Sequence, residues 1–480
     1  MSDKNNNAIM KKAGEKAIIN PGTSTLLTVG TVLGTSILFA LPLAISSGGK
    51  NIWISLLLVG VASLFTNLAP AVTSEAIPAD AGPYKYMTRL MHPAMAIFEL
   101  MDRAAQFIML ALVANALADF LGRLVPSAPG TLIAVLLLIV IGFLNLFGAG
   151  TAARIGNILS LLALIGMIIY IAYAISAEPV LELALSSYMK TMETDLVSVN
   201  AEGLAGVISL IIVASLFIPA FNASQISSDA SGSTARPDKT IAKAFIIGML
   251  IVLAVYIPTA ILSAKLIFAS SYIESIVALA QMFMPAGAFT AFVLLGAFGL
   301  GLSTMNGLFI QQSLYLGAFA EDKLLPASFD RTNNKGVRPM NVILTIIITA
   351  AITLAVPNDS EHVESLVYIA ALLIVITQIA RLVPCFSVRR RYPNAYKKSV
   401  THLPIWMMIT LATIGGIILL ASTCGIILSC PAYVWIAALV IAALSAAYFF
   451  ARKAYLRGKG IDLVKGMSEP PQRWIDIENS

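Results

Sequence analysis

The stretch SLFIPAFNASQ, residues 215–225, stands near the end of a long apolar run. It places Pro219, Asn222 and Ser224 where a helix buried in lipid would favour leucine. Either a membrane span ends here, or the chain gives up helical hydrogen bonds inside the bilayer. Irregular backbone persists in hydrocarbon only where it packs against protein or lines a polar cavity, because each unpaired backbone group costs several kcal/mol. The choice between these two interpretations decides the fold.

The rest of the chain has the composition of a polytopic membrane protein. Of its 480 residues, 58% are hydrophobic and 12% are charged, and the mean hydropathy is +0.86. Soluble domains carry roughly 25% charged residues, whereas a membrane span needs about 20 apolar residues in a row. Twelve segments come near that length, and we number them as spans 1–12: 23–46, 52–76, 94–121, 131–148, 154–176, 204–228, 241–264, 286–318, 341–356, 364–388, 404–429 and 431–450.

Lysine and arginine are concentrated in the termini and in the loops that follow even-numbered spans, as in the clusters 389–391 and 452–459. This bias predicts that both termini are cytoplasmic. It also accounts for the net charge of +6 through attraction to anionic lipid, so no nucleic-acid partner is needed. The three cysteines and three histidines share no ligand spacing, and we predict neither a metal site nor a cofactor.

Two inverted halves, spans 1–5 and 6–10, would make spans 1 and 6 equivalent. In folds of this kind both equivalent helices are interrupted near the bilayer midplane. Span 1 carries Gly30, Gly34 and Pro42, and span 6 carries the stretch quoted above. We therefore predict a break in each span, with free N–H groups for an anion and free carbonyl groups for a cation. The residues alone leave open that 204–221, about 27 Å long as a helix, crosses the bilayer unbroken.

Four stretches, in this order, resemble the amino acid–polyamine–organocation (APC) transporter superfamily. GTSILFALP at 34–42 is similar to its Gly-Ser-Gly-Ile-Phe break followed by proline, and EAIPADAGPYKY at 75–86 to its signature after helix 2. FNASQ at 221–225 looks like Phe-x-Gly-x-Glu, and AFAEDKLLPASFDRTNNKGVRP at 318–339 is close to the stretch after helix 8. The chain departs from the family at Gln225, where relatives carry an acid, and in span 5, where Ala163 replaces the lysine of some relatives.

The resemblance implies an all-α membrane protein with twelve transmembrane helices. Its fold would be the five-plus-five inverted repeat with broken helices 1 and 6, plus two extra C-terminal helices. The expected segments are a cytoplasmic tail (1–22), the first repeat (23–202), the second repeat (203–400), spans 11 and 12 (401–451) and a second cytoplasmic tail (452–480).

The resemblance also implies a secondary active transporter of amino acids or related amines, working by alternating access through symport or exchange. A polyamine or organic-cation antiporter of the same fold is the alternative, and a membrane-embedded enzyme or a channel is the weaker one. The expected partners are the small-molecule substrate, a proton or counter-substrate rather than sodium, and the lipid of the cell membrane. The protein would act there as a monomer or homodimer.

On the same resemblance, the substrate would lie between spans 1, 6, 3 and 8. Backbone carbonyls of Asn222 and Ala223 would then receive its ammonium group. The expected substrate-binding residues are Gly34, Thr35, Ser36, Ile37, Ala111, Asn115, Phe221, Asn222, Ala223 and Ser303. The hydroxyls of Ser303 and Thr304 could help to hold sodium, but interhelical hydrogen bonding is the favoured interpretation.

Span 3 carries Glu99, Asp102 and Arg103, and ionisable residues within a span need partners. Glu99 and Arg103 are four residues apart and can pair on one helix face. An ion pair or gate at the cytoplasmic end is favoured over proton coupling, and we take these three residues with Gln225 as the gating or coupling candidates.

Three further cations lie near the cytoplasmic interface. We expect Arg381 in span 10 to extend its side chain to that interface. We expect Lys85 and Arg89 to be lipid-facing anchors, although the resemblance implies that their loop belongs to the inner gate.

Overall fold

The computed structural model describes residues 19–48, 51–189, 214, 217–267 and 275–480. Within these residues the regular secondary structure is helical, apart from isolated β-bridges that join Ile19 to Thr234 and Asp80 to Ala230. Eight of the described helices are long and apolar enough to cross a membrane, and the helices of spans 4 and 9 are shorter. The predicted all-helical membrane architecture is confirmed at this level, while the count of twelve spans stays a prediction.

Eleven predicted spans coincide with described helices. Span 6 lies partly outside the described residues, which resume as helix at 217–222. The helices of the spans, in order, are Pro21–Gly48, Ile52–Ala76, Ala96–Leu124, Gly130–Asn145, Ala149–Met189, Pro237–Ile267, Ala286–Ala291 with Phe298–Glu321, Pro339–Ala355, Ser360–Leu382, Ile405–Ser429 and Ala432–Arg457. Shorter helices between and after them are Gly82–Leu90, Ile226–Asp229, Ile276–Phe283, Val388–Arg391, Pro393–Lys398, Leu463–Ser468 and Gln472–Asn479.

The helices pair in a regular pattern. Span 2 packs along span 7, span 4 along span 9, span 3 along span 10, and span 5 along span 8. If each span is replaced by the span five places before or after it in the chain, the same four pairs result. Span 1 packs against spans 5, 7 and 8, and spans 11 and 12 lie outside the ten, against spans 2, 3 and 10. Span 4 leaves large apolar side chains such as Leu132 and Phe143 exposed, as a lipid-facing helix requires.

The predicted break in span 1 is wrong, because the helix Pro21–Gly48 continues through residues 34–37. Its glycines have another use, namely close contact with span 8. A Cβ on Gly30 would overlap the hydroxyl oxygen of Ser303, and a Cβ on Gly34 would overlap that of Thr304. Small residues four apart let two membrane helices approach closely, and an unbroken helix satisfies its own backbone groups. Helix packing therefore explains these glycines without unwinding.

In span 6 the helix changes type instead of coming apart. Residues 217–222 are α-helical, Ala223–Gln225 form a 3-10 turn, and Ile226–Asp229 return to an α-turn. The irregularity therefore comes four residues after Pro219. A 3-10 turn keeps its backbone groups hydrogen-bonded, which a buried segment needs.

Span 8 contains a π-helical turn, Phe292–Ala297, where it meets span 5. The backbones approach so closely there that a Cβ on Gly166 would overlap the backbone of Gly296. One turn further along span 8, a Cβ on Gly299 would press on the backbone nitrogen of Ala163 at 2.8 Å. Ala163 is therefore a packing residue in this structure, in a contact that a longer side chain would disturb.

The segment after span 12 folds back onto the loops that follow spans 2 and 6. Trp474 is fully buried, donates its indole N–H to the carbonyl of Pro78 at 3.3 Å, and packs on the ring of Tyr86. The neighbouring Arg473 donates to the carbonyl of Gly232 at 2.7 Å. The loops after spans 2 and 6 are thus both held by one C-terminal helix.

We expect Gly166→Ala to destabilise the protein by about 1–3 kcal/mol, because the added methyl group has no space between spans 5 and 8. The matched control is Gly416→Ala in span 11, where a Cβ meets nothing within 4 Å. That control should be neutral or slightly stabilising, by roughly 0.5–1 kcal/mol, as for alanine in place of glycine in a helix. Thermal unfolding of both variants in detergent measures the difference, and equal midpoints would contradict the packing argument.

We expect Trp474→Ala to release the C-terminal helix, because truncating a buried tryptophan costs roughly 3–5 kcal/mol of packing. Limited trypsin digestion of the purified protein should then cut the segment after residue 457 faster than in the unmodified chain. Gln472→Ala, on the exposed face of the same helix, is the control and should leave the cleavage rate unchanged.

Candidate functional site

A buried ionic network joins spans 3 and 10. The Arg381 guanidinium donates to both carboxylate oxygens of Glu99, at 2.8 and 2.7 Å, and to Asp102 at 2.8 Å. Arg103 pairs with Asp102 from the same helix. All four side chains are buried, with none more than 5% exposed. Low exposure and two-pronged geometry make this the strongest electrostatic feature of the described chain.

Two predictions fail here for one physical reason. The cation bonded to Glu99 is Arg381, not Arg103, and Arg381 does not extend to the interface but lies buried. Span 3 brings two carboxylates inside the bundle, and one arginine on the same helix cannot compensate both. Buried charges need opposite charges in contact, so the second arginine turns inward from span 10.

Tyr315 of span 8 connects this network to span 6. Its ring lies under the guanidinium of Arg103, at 3.8 Å, and near that of Arg381, at 5.6 Å. Its hydroxyl donates to Asp229 at 2.7 Å, and Gln311 donates to the other oxygen of Asp229 at 2.5 Å. Sequence reasoning missed Asp229, Gln311 and Tyr315. Gln311 and Tyr315 are polar residues four apart in apolar span 8, so both side chains lie on one helix face. This spacing was the signal in the sequence that could have identified them.

Gln225 is the centre of a chain of amide hydrogen bonds. Its side-chain oxygen accepts from Arg381 at 3.1 Å, and its nitrogen donates to Asn67 and Gln378, both at 2.7 Å. Asn67 in turn donates to Asn222 at 3.2 Å. The gating candidates Glu99, Asp102, Arg103 and Gln225 are therefore brought together in one connected network by Arg381.

The predicted substrate residues of spans 1, 6 and 8 lie around one stretch of span 1. Gly34 faces Thr304, whose hydroxyl donates to the carbonyl of Gly30 at 3.0 Å. Ser303 shares a 2.8 Å hydrogen bond with Ser160. These hydroxyls are used in interhelical bonds, as the favoured interpretation expected. The side chains of Thr35, Ser36 and Ile37 lie outside the described part of the structure.

Span 6 reaches the same stretch of span 1 through an aromatic pair. The buried ring of Phe221 packs against Tyr256 at 5.6 Å, and the Tyr256 hydroxyl donates to the carbonyls of Val32 and Leu33, both at 2.8 Å. Two polar atoms beside this contact, Nδ2 of Asn222 and Oγ of Ser224, are buried and make no hydrogen bond within the described residues.

The two predicted substrate residues of span 3 lie in different surroundings. Ala111 is buried, whereas Asn115, one turn further, lines a cavity of about 340 Å³ with Thr353 and Asn358 at the ends of spans 3 and 9. A second cavity, of about 200 Å³, lies at the opposite end of the bundle. Neither cavity is lined by residues 30–37 or 217–225.

A second ionic group surrounds that opposite end. Arg89 makes a two-pronged pair with Asp322, at 2.8 and 2.6 Å, and Lys85 pairs with Glu321 at 3.0 Å. The prediction that Lys85 and Arg89 anchor in lipid is wrong, because carboxylates at the end of span 8 hold both. Burial raises the pKa of Asp80, which lines the second cavity and accepts from Ser233.

These features define a class of protein. Apolar helices of membrane length enclose polar networks, and the described residues hold no group of three side chains that could ligate a metal. Such a bundle is an integral membrane protein with polar groups reserved for its interior, as membrane carriers have.

Comparison with known proteins agrees. A family model described as amino acid permease matches residues 19–451, and the chain belongs to this family, within the APC superfamily. The predicted resemblance is confirmed. The protein is therefore an integral membrane transporter of amino acids or related compounds, from a family of transporters and not of enzymes, and it binds a small-molecule substrate. A search of curated proteins finds no match to the chain.

We expect Arg381→Gln to destabilise the protein by about 3–5 kcal/mol, because it leaves Glu99 buried without its bonded cation, whereas Asp102 keeps Arg103. Adding Glu99→Gln to that variant should restore part of the loss. The control is Arg338→Gln, which breaks a partly exposed pair with Glu321 and should cost no more than about 1 kcal/mol. Thermal unfolding in detergent measures all three, and a similar loss for Arg338→Gln and Arg381→Gln would contradict this assignment.

Proposed function

We propose that the protein is a secondary active transporter that moves amino acids or related amines by alternating access. The observation that carries this proposal is the buried network of Glu99, Asp102 and Arg381 with Gln225. It ties span 3, from one predicted half, to spans 6 and 10 of the other. Ion pairs that join two halves can be exchanged for water when the halves move apart, so a carrier can close and reopen a barrier here.

The pairing of the helices supports the proposed inverted repeat, with halves 23–202 and 203–400 and spans 11 and 12 outside them. Spans 2 with 7 and 4 with 9 pair a helix with its own equivalent, whereas 3 with 10 and 5 with 8 exchange under the repeat. An inverted repeat produces this pattern, and it lets one half rock against the other.

We place the substrate between spans 1, 6, 3 and 8, as the sequence predicted, with an altered role for span 1. Span 1 borders the site as an unbroken helix, and the 3-10 turn Ala223–Gln225 of span 6 is the element that can unwind. Nδ2 of Asn222 and Oγ of Ser224, which have no hydrogen-bond partner among the described residues, are donors suited to a carboxylate. Carbonyls released when the turn opens would receive the ammonium group.

The proposed location is the cell membrane, with both termini in the cytoplasm. The ionic group of Lys85, Arg89 and Asp322 then lies on the cytoplasmic side. It forms a second layer of the barrier that the buried network closes, nearer to the cytoplasm. The driving partner is a proton or a counter-substrate in preference to sodium, since Ser303 and Thr304 are already hydrogen-bonded. The protein acts as a monomer or homodimer.

Uptake by the purified protein in liposomes tests the function. A panel of amino acids and polyamines is offered with a pH gradient, with a sodium gradient, and with each compound preloaded for exchange. We expect saturable uptake of at least one amino acid or amine. If no member of the panel moves under any gradient or by exchange, the proposed function is wrong.

The site itself is tested by Asn222→Leu. We expect this change to raise KM for the transported substrate roughly tenfold or more, since a hydrogen bond to a charged group contributes about 1.5–3 kcal/mol. Asn358→Leu, in the cavity at the far end of span 9, is the matched control and should leave KM near that of the unmodified protein. An unchanged KM in Asn222→Leu would remove this residue from the site.

A further inference from the structure

We propose that Asp229, at the end of span 6, is the residue that binds the coupling proton. The proposal rests on the function proposed above and assigns it a driving ion. Asp229 is fully buried, and it belongs to neither ion pair of the network. Its only side-chain partners among the described residues are Gln311 and Tyr315.

The first argument is the balance of charge. The buried network contains the carboxylates of Glu99, Asp102 and Asp229 but only the guanidiniums of Arg103 and Arg381. Both guanidiniums are in contact with Glu99 or Asp102. With every group ionised, one negative charge is left over, and it falls on the carboxylate that neutral groups hold. A buried charge without a contacting partner is costly, and such a group tends to take up a proton instead.

The second argument is the chemistry of Gln311. Its Nε2 donates to Asp229 at 2.5 Å, while its Oε1 is buried and has no partner within the described residues. A half-turn of the amide exchanges these two atoms. The amide can therefore donate to an ionised carboxylate or accept from a protonated one, without any movement of the backbone. A reversible proton site needs this ability to satisfy both states.

The charged and titratable surroundings of Asp229 link it to the barrier. Protonation changes what Asp229 offers to the Tyr315 hydroxyl, and the Tyr315 ring lies against Arg103. The titratable and charged groups on the elements around Asp229 are Tyr315 from span 8, Glu99, Asp102 and Arg103 from span 3, Arg381 from span 10, Asp80 and Tyr86 from the segment after span 2, and Arg473 from the C-terminal helix.

The position of Asp229 in the fold also supports its assignment as the proton-binding residue. The backbone carbonyl of Asp229 accepts from the N–H of Ala81 at 2.8 Å, and Ala230 pairs with Asp80, which lines the cavity of about 200 Å³. Water in that cavity can deliver a proton close to the carboxylate. In this step a hydronium ion gives its proton to Oδ2 of Asp229 and leaves as water, and the Gln311 amide turns so that its oxygen accepts the new O–H. After the barrier opens, the proton passes from Oδ2 to water on the other side. No bond of the substrate changes.

The experiment compares net uptake with exchange for a substrate that the liposome panel has identified. Uptake driven by a pH gradient requires proton movement, whereas exchange of labelled for unlabelled substrate does not. We expect Asp229→Asn to keep exchange but to lose roughly tenfold or more of its pH-driven accumulation. Asp229→Glu should restore accumulation. The matched control is Asp119→Asn, which removes a carboxylate from the outer end of span 3 and should behave like the unmodified protein.

Retention of pH-driven accumulation in Asp229→Asn overturns the proposal, and so does an unmodified protein whose transport is independent of any proton gradient. Either result leaves the proposed function intact, whereas the absence of all transport by the unmodified protein overturns the function first. If Asp229→Asn does not fold, infrared spectra of the unmodified protein labelled with ¹³C-aspartate decide. A protonated aspartic acid band that changes with pH supports the assignment, and its absence at every pH overturns it.

Discussion

The structure depends on one electrostatic constraint, which is that two carboxylates of span 3 lie where water cannot reach them. Glu99 and Asp102 can remain charged only with cations in contact, and the second of these cations comes from span 10. This requirement fixes the distance and the register between the two helices. It also recruits neutral amides, because Gln225 accepts from Arg381 and donates in turn to Asn67 and Gln378. A single acidic face thus organises residues from four spans.

Close packing is the second organising principle, and it acts where charge is absent. Spans 1, 5 and 8 meet through glycine, alanine and serine, so that backbones approach within a side chain's width. Lipid offers apolar side chains no advantage in leaving it, so shape and short hydrogen bonds hold these helices together. The π-helical turn of span 8 lies in this contact. The contacts among these three central helices are therefore sensitive to added volume.

The sequence predicted the membrane class, the family and the eleven spans that coincide with described helices, because hydropathy and motif order are properties of the chain itself. It also selected Glu99, Asp102, Arg103 and Gln225, because polar groups inside apolar spans need partners. It did not identify the residues that act as those partners. Arg381 and Tyr315 meet span 3 across more than 200 residues of chain, and no local pattern records such contacts. The prediction of a break in span 1 was wrong for a related reason. A single sequence does not distinguish a glycine at a helix contact from a glycine at a helix interruption.

The burial of Trp474 against the loop that contains Pro78 has a consequence for how the chain is made. The two residues are 396 positions apart, so every span between them must be synthesised before they can meet. During synthesis the loops after spans 2 and 6 emerge early and stay uncovered, and a late segment then closes over them. This face of the protein is therefore completed only after translation has passed residue 474.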